Sequence, residues 1–463
     1  MVHPADRSVK IANNLKNDHP FVVSPHKTLL SMSLPVLLSL VAEPLTGLVD
    51  TAFVARLGAE SLAALGVGTV TLSGIFWAFN FLGIGTQTEV AQGHGRQEFN
   101  VAKEIGGSAL ALAALIGLLL VILGLPFVPY VSRVMGASGV VYDLSAQYIQ
   151  IRLFGAPAVL LTIAAFGIFR GMQDMRTPLY VAISINTLNI ILDPLLIFGY
   201  GPFPRLGVFG AGLASTFSQW FGAGCLVWIV HKRIGFPNRI RFRDVGKLFK
   251  IGRDLFIRTG LLTAFYIITT RAATRIGPDA GAAHQAVRQV WVFSFLFLDA
   301  YATTGQSLVG YFIGPRLMDQ TRRVARIVCL WSFITGLVMG FVLWFGKPLV
   351  ITFLVPPSVI NLFIPAWAIA ALIQPVNALA FATDGIHWGT GDFRYLRNAI
   401  IIATTCGAVA IYLLDESMAG ALTWIWLITA FWIVIRALFG VIRIWPGLGN
   451  SPLKKKLCRP NSK

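Results

Sequence analysis

Apolar windows of about 20 residues recur along the whole chain. They lie near 29–54, 62–86, 105–130, 145–168, 178–199, 208–230, 254–274, 281–311, 326–346, 362–388, 398–414 and 420–442. A helix of that length spans the ~30 Å hydrocarbon layer of a bilayer. The pattern predicts an all-α integral membrane protein with about twelve transmembrane helices, the span at 281–311 being interrupted by Arg288 and Asp299. The polar stretches between windows alternate in charge. Basic residues collect at Arg7, Lys10, Lys16 and Lys27, at Arg96 and Lys103, at Arg170 and Arg176, and through Lys232–Arg253. They return at Arg316, Arg322, Arg323 and Arg326, at Arg394 and Arg397, and at Lys454–Lys456. The intervening connections carry little beyond Arg205 and Lys347, and one is acidic, Asp415-Glu416. By the positive-inside rule both termini are expected in the cytoplasm of a multi-pass protein of the inner (plasma) membrane.

The chain also repeats itself. Arg56-Leu-Gly-Ala-Glu-Ser-Leu-Ala-Ala64 aligns without a gap on Arg275-Ile-Gly-Pro-Asp-Ala-Gly-Ala-Ala283, 219 residues on. Gln87-Thr88 falls on Gln306-Ser307 and Gly95 on Gly314, and Gly171-Met-Gln-Asp174-Met-Arg176 matches Gly389-Thr-Gly-Asp392-Phe-Arg394 within one residue of that register. Six helices per copy bring the second copy in with the orientation of the first, so two six-helix lobes related by a pseudo-twofold axis along the membrane normal are expected. The expected divisions are a cytoplasmic N-terminal tail (1–27), an N-lobe (28–230), a cytoplasmic linker (231–253), a C-lobe (254–445) and a basic cytoplasmic tail (446–463), the last set against anionic lipid.

Composition agrees with the pattern: 56% of the 463 residues are hydrophobic and only 13% charged, against roughly a quarter charged in a soluble domain. The excess of 38 Lys+Arg over 20 Asp+Glu follows the connections, which argues against nucleic acid as a partner. The first apolar segment is too long for a signal-peptide core and lacks a small-residue cleavage site. Cys225, Cys329 and Cys406 lie in apolar spans and Cys458 in the tail, so no disulfide or metal framework is expected. No His-Glu-x-x-His, nucleophile elbow or phosphate loop is present, and a repeat over the whole chain is not what an intramembrane enzyme needs.

Ionisable groups at membrane depth are expensive and usually line a pathway. Glu43 and Asp50 lie seven apart on the first span and share a face. Asp193 lies on the fifth, one turn after Asn189. Asp50 and Asp193 each lie about six residues below an outer loop, roughly 9 Å beneath the surface at 1.5 Å per residue. Two carboxylates at one depth on different helices make a shared H⁺ or Na⁺ site, to which Asn189 and Thr216 can add neutral oxygens. The alternative is structural: Asp50 at a kinked helix end, and Asp193 in an Asp-Pro break at Pro194. Pro35 and Pro44 lie on the helix of Asp50 and mark either a hinge or a static kink. In the second copy Arg258 and Arg271 fall on the seventh span, His284, Arg288 and Asp299 on the eighth, and Asp384 on the tenth. Arg271 with Asp299 or Asp384 would form buried ion pairs; facing a cavity instead, the arginines would favour a substrate bearing an anionic group, or keep Asp384 ionised, with Glu43, His284 and Asp299 as further candidate cavity residues. The repeated Gly-x-x-Asp-x-Arg turns are expected to tie helix ends together through Asp–Arg pairs.

At Leu48-Val-Asp50-Thr-Ala, Asn189-Ile-Ile-Leu-Asp193-Pro, Phe381-Ala-Thr-Asp384-Gly and the paired glycine turns, the chain resembles the multidrug and toxic compound extrusion (MATE) family, and its DinF-like branch in particular. The similarity covers about residues 28–445. It implies two six-helix lobes around a central cavity, working as a secondary antiporter that exports amphipathic organic compounds in exchange for H⁺ or Na⁺, with no other cofactor and as a monomer. By the same resemblance Asp50, Asn189 and Asp193 match the coupling site of the first lobe, Pro35 the proline at which the first helix bends, and Asp384 an aspartate of the tenth helix. The acid that other branches carry on the seventh helix has no match, since Arg258 and Arg271 occupy it. A flippase for lipid-linked precursors in the same superfamily is the alternative reading.

Overall fold

The structure, a computed structural model, describes residues 19–237 and 242–454. Among these residues it is helical throughout, with no strands. The first half contains α1 (Pro25–Ala55), α2 in two pieces (α2a, Ala59–Ala78; α2b, Phe81–Gly95), α3 (Phe99–Gly124), α4 in two pieces (α4a, Gly139–Leu153; α4b, Ala156–Gly171), α5 (Arg176–Phe198) and α6 (Gly207–Arg233). The second half contains α7 (Phe242–Ile276), α8 (Pro278–Ile313), α9 (Met318–Leu354), α10 in two pieces (α10a, Ile360–Leu372; α10b, Gln374–Thr390), α11 (Phe393–Tyr412) and α12 (Ala421–Ile444).

Eight of the helices are long and apolar enough to cross a bilayer, and ten spans result when each bent pair of α4 and α10 counts as one. The two that remain are α7 and α8, whose apolar runs are broken by the charges expected there. They stand in the second half where α1 and α2 stand in the first, which completes six per half. Arg288 and Asp299 interrupt the apolar run of α8, as expected, without breaking the helix, which is continuous from Pro278 to Ile313. Leu118, Leu119, Ile122 and Leu123 of α3 and Val338, Phe341 and Phe345 of α9 are exposed; acyl chains, not water, are the medium that accommodates such faces.

The duplication is visible residue by residue. Gly58 and Gly277, at one repeat position, take positive φ values of 115° and 151°, a region that side chains disfavour and glycine does not. Pro157 and Pro375 open α4b and α10b, and at these two sites the paired helices bend by 48° and 47°, as proline at a helix break requires. A β-carbon on Gly171 would meet the Gln87 carbonyl and Val90; one on Gly389 would meet the Gln306 carbonyl and Val309. The same close approach of α4b to α2b therefore recurs between α10b and α8. A tighter contact of the same kind is at Gly385, where a β-carbon would stand 2.1 Å from the Ala302 carbonyl oxygen. Gly385→Val is therefore expected to destabilise the protein by about 3 kcal/mol or more, the upper range for overpacking, as read from thermal unfolding in detergent.

The two turns do tie helix ends, with a different arginine from the one expected. Asp174 pairs with Arg233 at the end of α6 (2.8 Å), and Asp392 with Arg443 at the end of α12 (2.7 Å). The arginine inside the turn donates only its backbone N–H, Arg176 to Asp174 Oδ1. Burial opposes ionisation of Asp174, but the Thr177 hydroxyl and amide and the Arg233 guanidinium outweigh it and hold its carboxyl below the usual range. A depressed folded value means that the clamp stabilises above the ordinary carboxylate pKa of about 3.9 and fades as pH falls through the folded value. Asp174→Asn is expected to cost about 1–2 kcal/mol at pH 7 and nothing once wild-type Asp174 is itself protonated, as a pair of melting curves at the two pH values checks.

The chain divides into two compact units, Leu34–Gly252 and a second comprising Arg253–Lys463 together with the residues before Leu34. The divisions fall inside α1 and α7, so the segment expected as the linker is helical from Phe242 onward. Its stretch from Lys247 to Gly252 belongs to the first unit: Leu248 and Ile251 lie against Gly85, and Lys247 pairs with Glu89. Residues 1–18, 238–241 and 455–463 of the expected tails and linker lie outside the described residues. The core of the first unit gathers Val54, Leu65, Leu72, Tyr148, Ile149, Ile197 and Val208. The second unit has a larger aromatic core, where Trp432 stacks on Phe265 at 4.5 Å and Trp291 and Trp426 meet edge to face.

Candidate functional site

Four helices of the first unit bring polar groups together at membrane depth: Asp50 from α1, Tyr148 and Arg152 from α4a, Asn189 and Asp193 from α5, and Ser215 from α6. α5 runs unbroken through Pro194 to Phe198, so Asp193 belongs to a continuous helix and not to an Asp-Pro break. Its side chain is fully buried and Asn189 is nearly so. The carboxyl groups of Asp50 and Asp193 stand within hydrogen-bonding reach of each other, while Asp193 Oδ2 is buried with no donor. Two carboxylates in contact repel unless a proton or a cation lies between them.

The Asn189 amide has two orientations. In one its nitrogen faces Asp193 Oδ1 at 3.5 Å and Ser215 Oγ at 3.4 Å. Turned over, it donates to Asp50 Oδ1 at 3.1 Å and accepts from the Ser215 N–H at 3.2 Å. The second is the better one, since it meets an acceptor with a donor and a donor with an acceptor at normal lengths. Asn189 thereby ties α5 to the carboxylate of α1 and to α6. Thr216, an expected ligand, is buried and donates to the Ile151 carbonyl at 3.0 Å; the α6 group that faces Asn189 is its neighbour Ser215. Glu43 lies two turns before Asp50 on the same helix and is exposed. α1 is helical without a break at Pro35 and Pro44.

Arg152 was not among the residues singled out from the sequence. It is half-buried at the end of α4a, where its charge acts on Glu43, Asp50 and Asp193 together and its head lies within reach of the Tyr148 hydroxyl. Glycine notches set its place. A β-carbon at Gly68 would stand 2.3 Å from the Tyr148 ring, and one at Gly212 would meet Ile151, Tyr148 and the Arg152 stem. An arginine inside the apolar window 145–168 was the signal that could have found it.

In the second unit Asp384 of α10b is held by two arginines. Arg258 of α7 donates to its Oδ2, and so does Arg436 of α12 at 3.0 Å. Both guanidiniums lie over aromatic rings, Arg258 on Trp388 at 5.1 Å and Arg436 on Trp432 at 4.6 Å, and all three ionic side chains are nearly buried. This corrects the expected pairing: Arg271 is exposed and makes no ion pair among the described residues, and the partners of Asp384 are Arg258 and the unforeseen Arg436, again a charge within an apolar window. His284 is buried against Trp426 and faces the Thr270 hydroxyl at 3.4 Å, with Arg288 turned to Gln285. Asp299 is half-buried on α8. Among the described residues no cluster of His, Cys, Asp and Glu suits a resident metal.

The MatE family model matches residues 35–195 and 255–413, one copy of the repeat each. The Arabidopsis thaliana protein DETOXIFICATION 44, chloroplastic, is 30% identical, the alignment covering 92% of this chain and 84% of that one. The DNA damage-inducible protein F of Escherichia coli K12 is 26% identical over 92% and 93% of the two chains. A MATE transporter solved in a bent conformation shares the fold, with a TM-score of 0.83 at 21% identity over 90% of this chain and 95% of that one. The chain therefore belongs to the MatE family of multidrug and toxic compound extrusion transporters and is a multi-pass membrane protein, not an enzyme.

Proposed function

We propose that the protein is a secondary antiporter of the inner membrane, with cytoplasmic termini, that exports amphipathic organic compounds in exchange for H⁺ or Na⁺ and functions as a monomer. The observation that carries this reading is the approach of the Asp50 and Asp193 carboxyls on separate helices of one unit, with Asn189 donating to Asp50. Such a pair holds one positive charge well and two negative charges badly, so its occupancy differs between the faces of a membrane across which H⁺ or Na⁺ is unequal. α1 carries Asp50 together with Pro35 and Pro44, and under this reading a bend at these prolines answers to the charge state of Asp50. Asp384, locked between two arginines, is left with a structural role in the second unit.

The test is efflux of a fluorescent amphiphile from proteoliposomes under an imposed pH or Na⁺ gradient. Export driven by one of the gradients identifies the coupling ion. Movement of a lipid-linked substrate, with no drug efflux under either gradient, would replace this reading by the flippase.

A further inference from the structure

Among the described residues, Arg152 is the cation whose charge acts on both Asp50 and Asp193; Glu43 lies on the α1 face of Asp50, and Tyr148, Asn189 and Ser215 are the neutral polar groups around the pair. Its Nε and Nη1 are buried and have no hydrogen-bond partner. Free buried guanidinium N–H groups beside carboxylates are unexpected, because an arginine and a carboxylate in a dry site pair strongly. Asp384 shows that outcome in the same chain, with both of its arginines engaged on one oxygen. What differs in the first unit is that its two carboxyl groups face each other, an arrangement that holds when they share a proton. With that proton the pair carries one negative charge, which Arg152 balances at a distance. Without it the pair carries two, and beyond the amide of Asn189 the unengaged Nε and Nη1 of Arg152 are the charged donors available to it.

We infer that Arg152 is an internal counter-cation of the coupling site: it stands aside while Asp50 and Asp193 share a proton and pairs with them when the proton leaves. The step balances simply. The shared proton departs to water on the releasing side, both carboxylates remain ionised, and the permanently charged guanidinium moves onto them in its place. The deprotonated site then crosses the membrane with a single net negative charge, and no metal ion is needed to compensate it. This rests on the antiporter reading above and commits it to H⁺. Arg152 is a positioning residue, since it acts through the two carboxylates.

The experiment uses full-length protein in proteoliposomes loaded with ethidium, comparing wild type, R152Q, R152K and D50N under a pH gradient with and without Na⁺. R152Q is expected to lose proton-driven efflux about tenfold or more, the effect of leaving one charge of the site uncompensated, and to recover part of it when Na⁺ supplies the missing cation. R152K keeps the charge and should transport at near wild-type rate, indifferent to Na⁺, as should wild type. The inference is overturned if R152Q transports normally, if R152K fails as badly as R152Q, or if wild type is itself driven by Na⁺. R152K decides the matter even if R152Q does not survive purification, since only a packing role would make the lysine as damaging as loss of charge. D50N separates the two levels: gradient-driven export that survives D50N sinks the coupling-site reading itself, whereas its loss in D50N with normal R152Q transport sinks only the role of Arg152.

Discussion

Asp50→Asn is expected to abolish gradient-driven export, with a fall of about 100-fold or more in initial efflux rate, equivalent to about 2.7 kcal/mol, while the folded protein is kept. Asparagine matches aspartate in shape and still offers an oxygen to Asn189, so the α1–α5 contact persists. What it cannot do is release a proton or take one up. The site is then fixed in the equivalent of its protonated state, and a pathway that reorients only through both charge states stops. Asp193→Asn should behave in the same way, because the shared proton belongs to the pair. Stability should move in the opposite direction from activity. Removing one of two facing carboxylates removes the repulsion that returns whenever the shared proton leaves, so both variants should melt at or above the wild-type temperature at neutral pH. A loss of export together with a large fall in melting temperature would mean that these residues hold the fold and not the ion.

Asp384→Ala should have the largest effect on stability, about 3–5 kcal/mol, the cost of breaking a buried ionic cluster by removing its central partner. Arg258 and Arg436 would face each other with no carboxylate between them, each nearly buried and each committed to an aromatic face. Arg258→Met should cost less, because Asp384 and Arg436 remain as a neutral pair and methionine fills the space beside Trp388. The order, alanine at 384 worse than methionine at 258, distinguishes a structural cluster from a substrate contact. If Asp384→Ala melted like wild type but lost substrate affinity, the cluster would be a binding site.

The helices and their duplication were legible from the chain because both are written in local chemistry: apolar windows set by bilayer thickness, and glycines and prolines that recur at a fixed offset. Asp50, Asn189 and Asp193 were legible because acids and amides in such windows stand out, and the structure brings them together. The pairing of charges was not legible. Arg271 and Arg258 share one helix, yet only Arg258 reaches Asp384, because helical rotation decides which face each presents. Arg152 and Arg436 were passed over although each is a charge within an apolar span. The tie between helix ends went to Arg233 and Arg443, more than fifty residues from their aspartates, where the chain only becomes adjacent through packing.

By itself, then, the sequence determined the membrane as solvent and the twofold repetition, since hydropathy and spacing are properties of short stretches. The tertiary structure alone decided that Ser215 and not Thr216 faces Asn189, that Asp384 is neutralised twice over, and that Arg152 stands unpaired beside two carboxyl groups. Those depend on the rotation and close approach of helices far apart in the chain, down to glycines such as Gly212 and Gly385 that leave no room for a β-carbon. An ionic contact that works at 3 Å is lost at 6 Å, and no local pattern carries that distance.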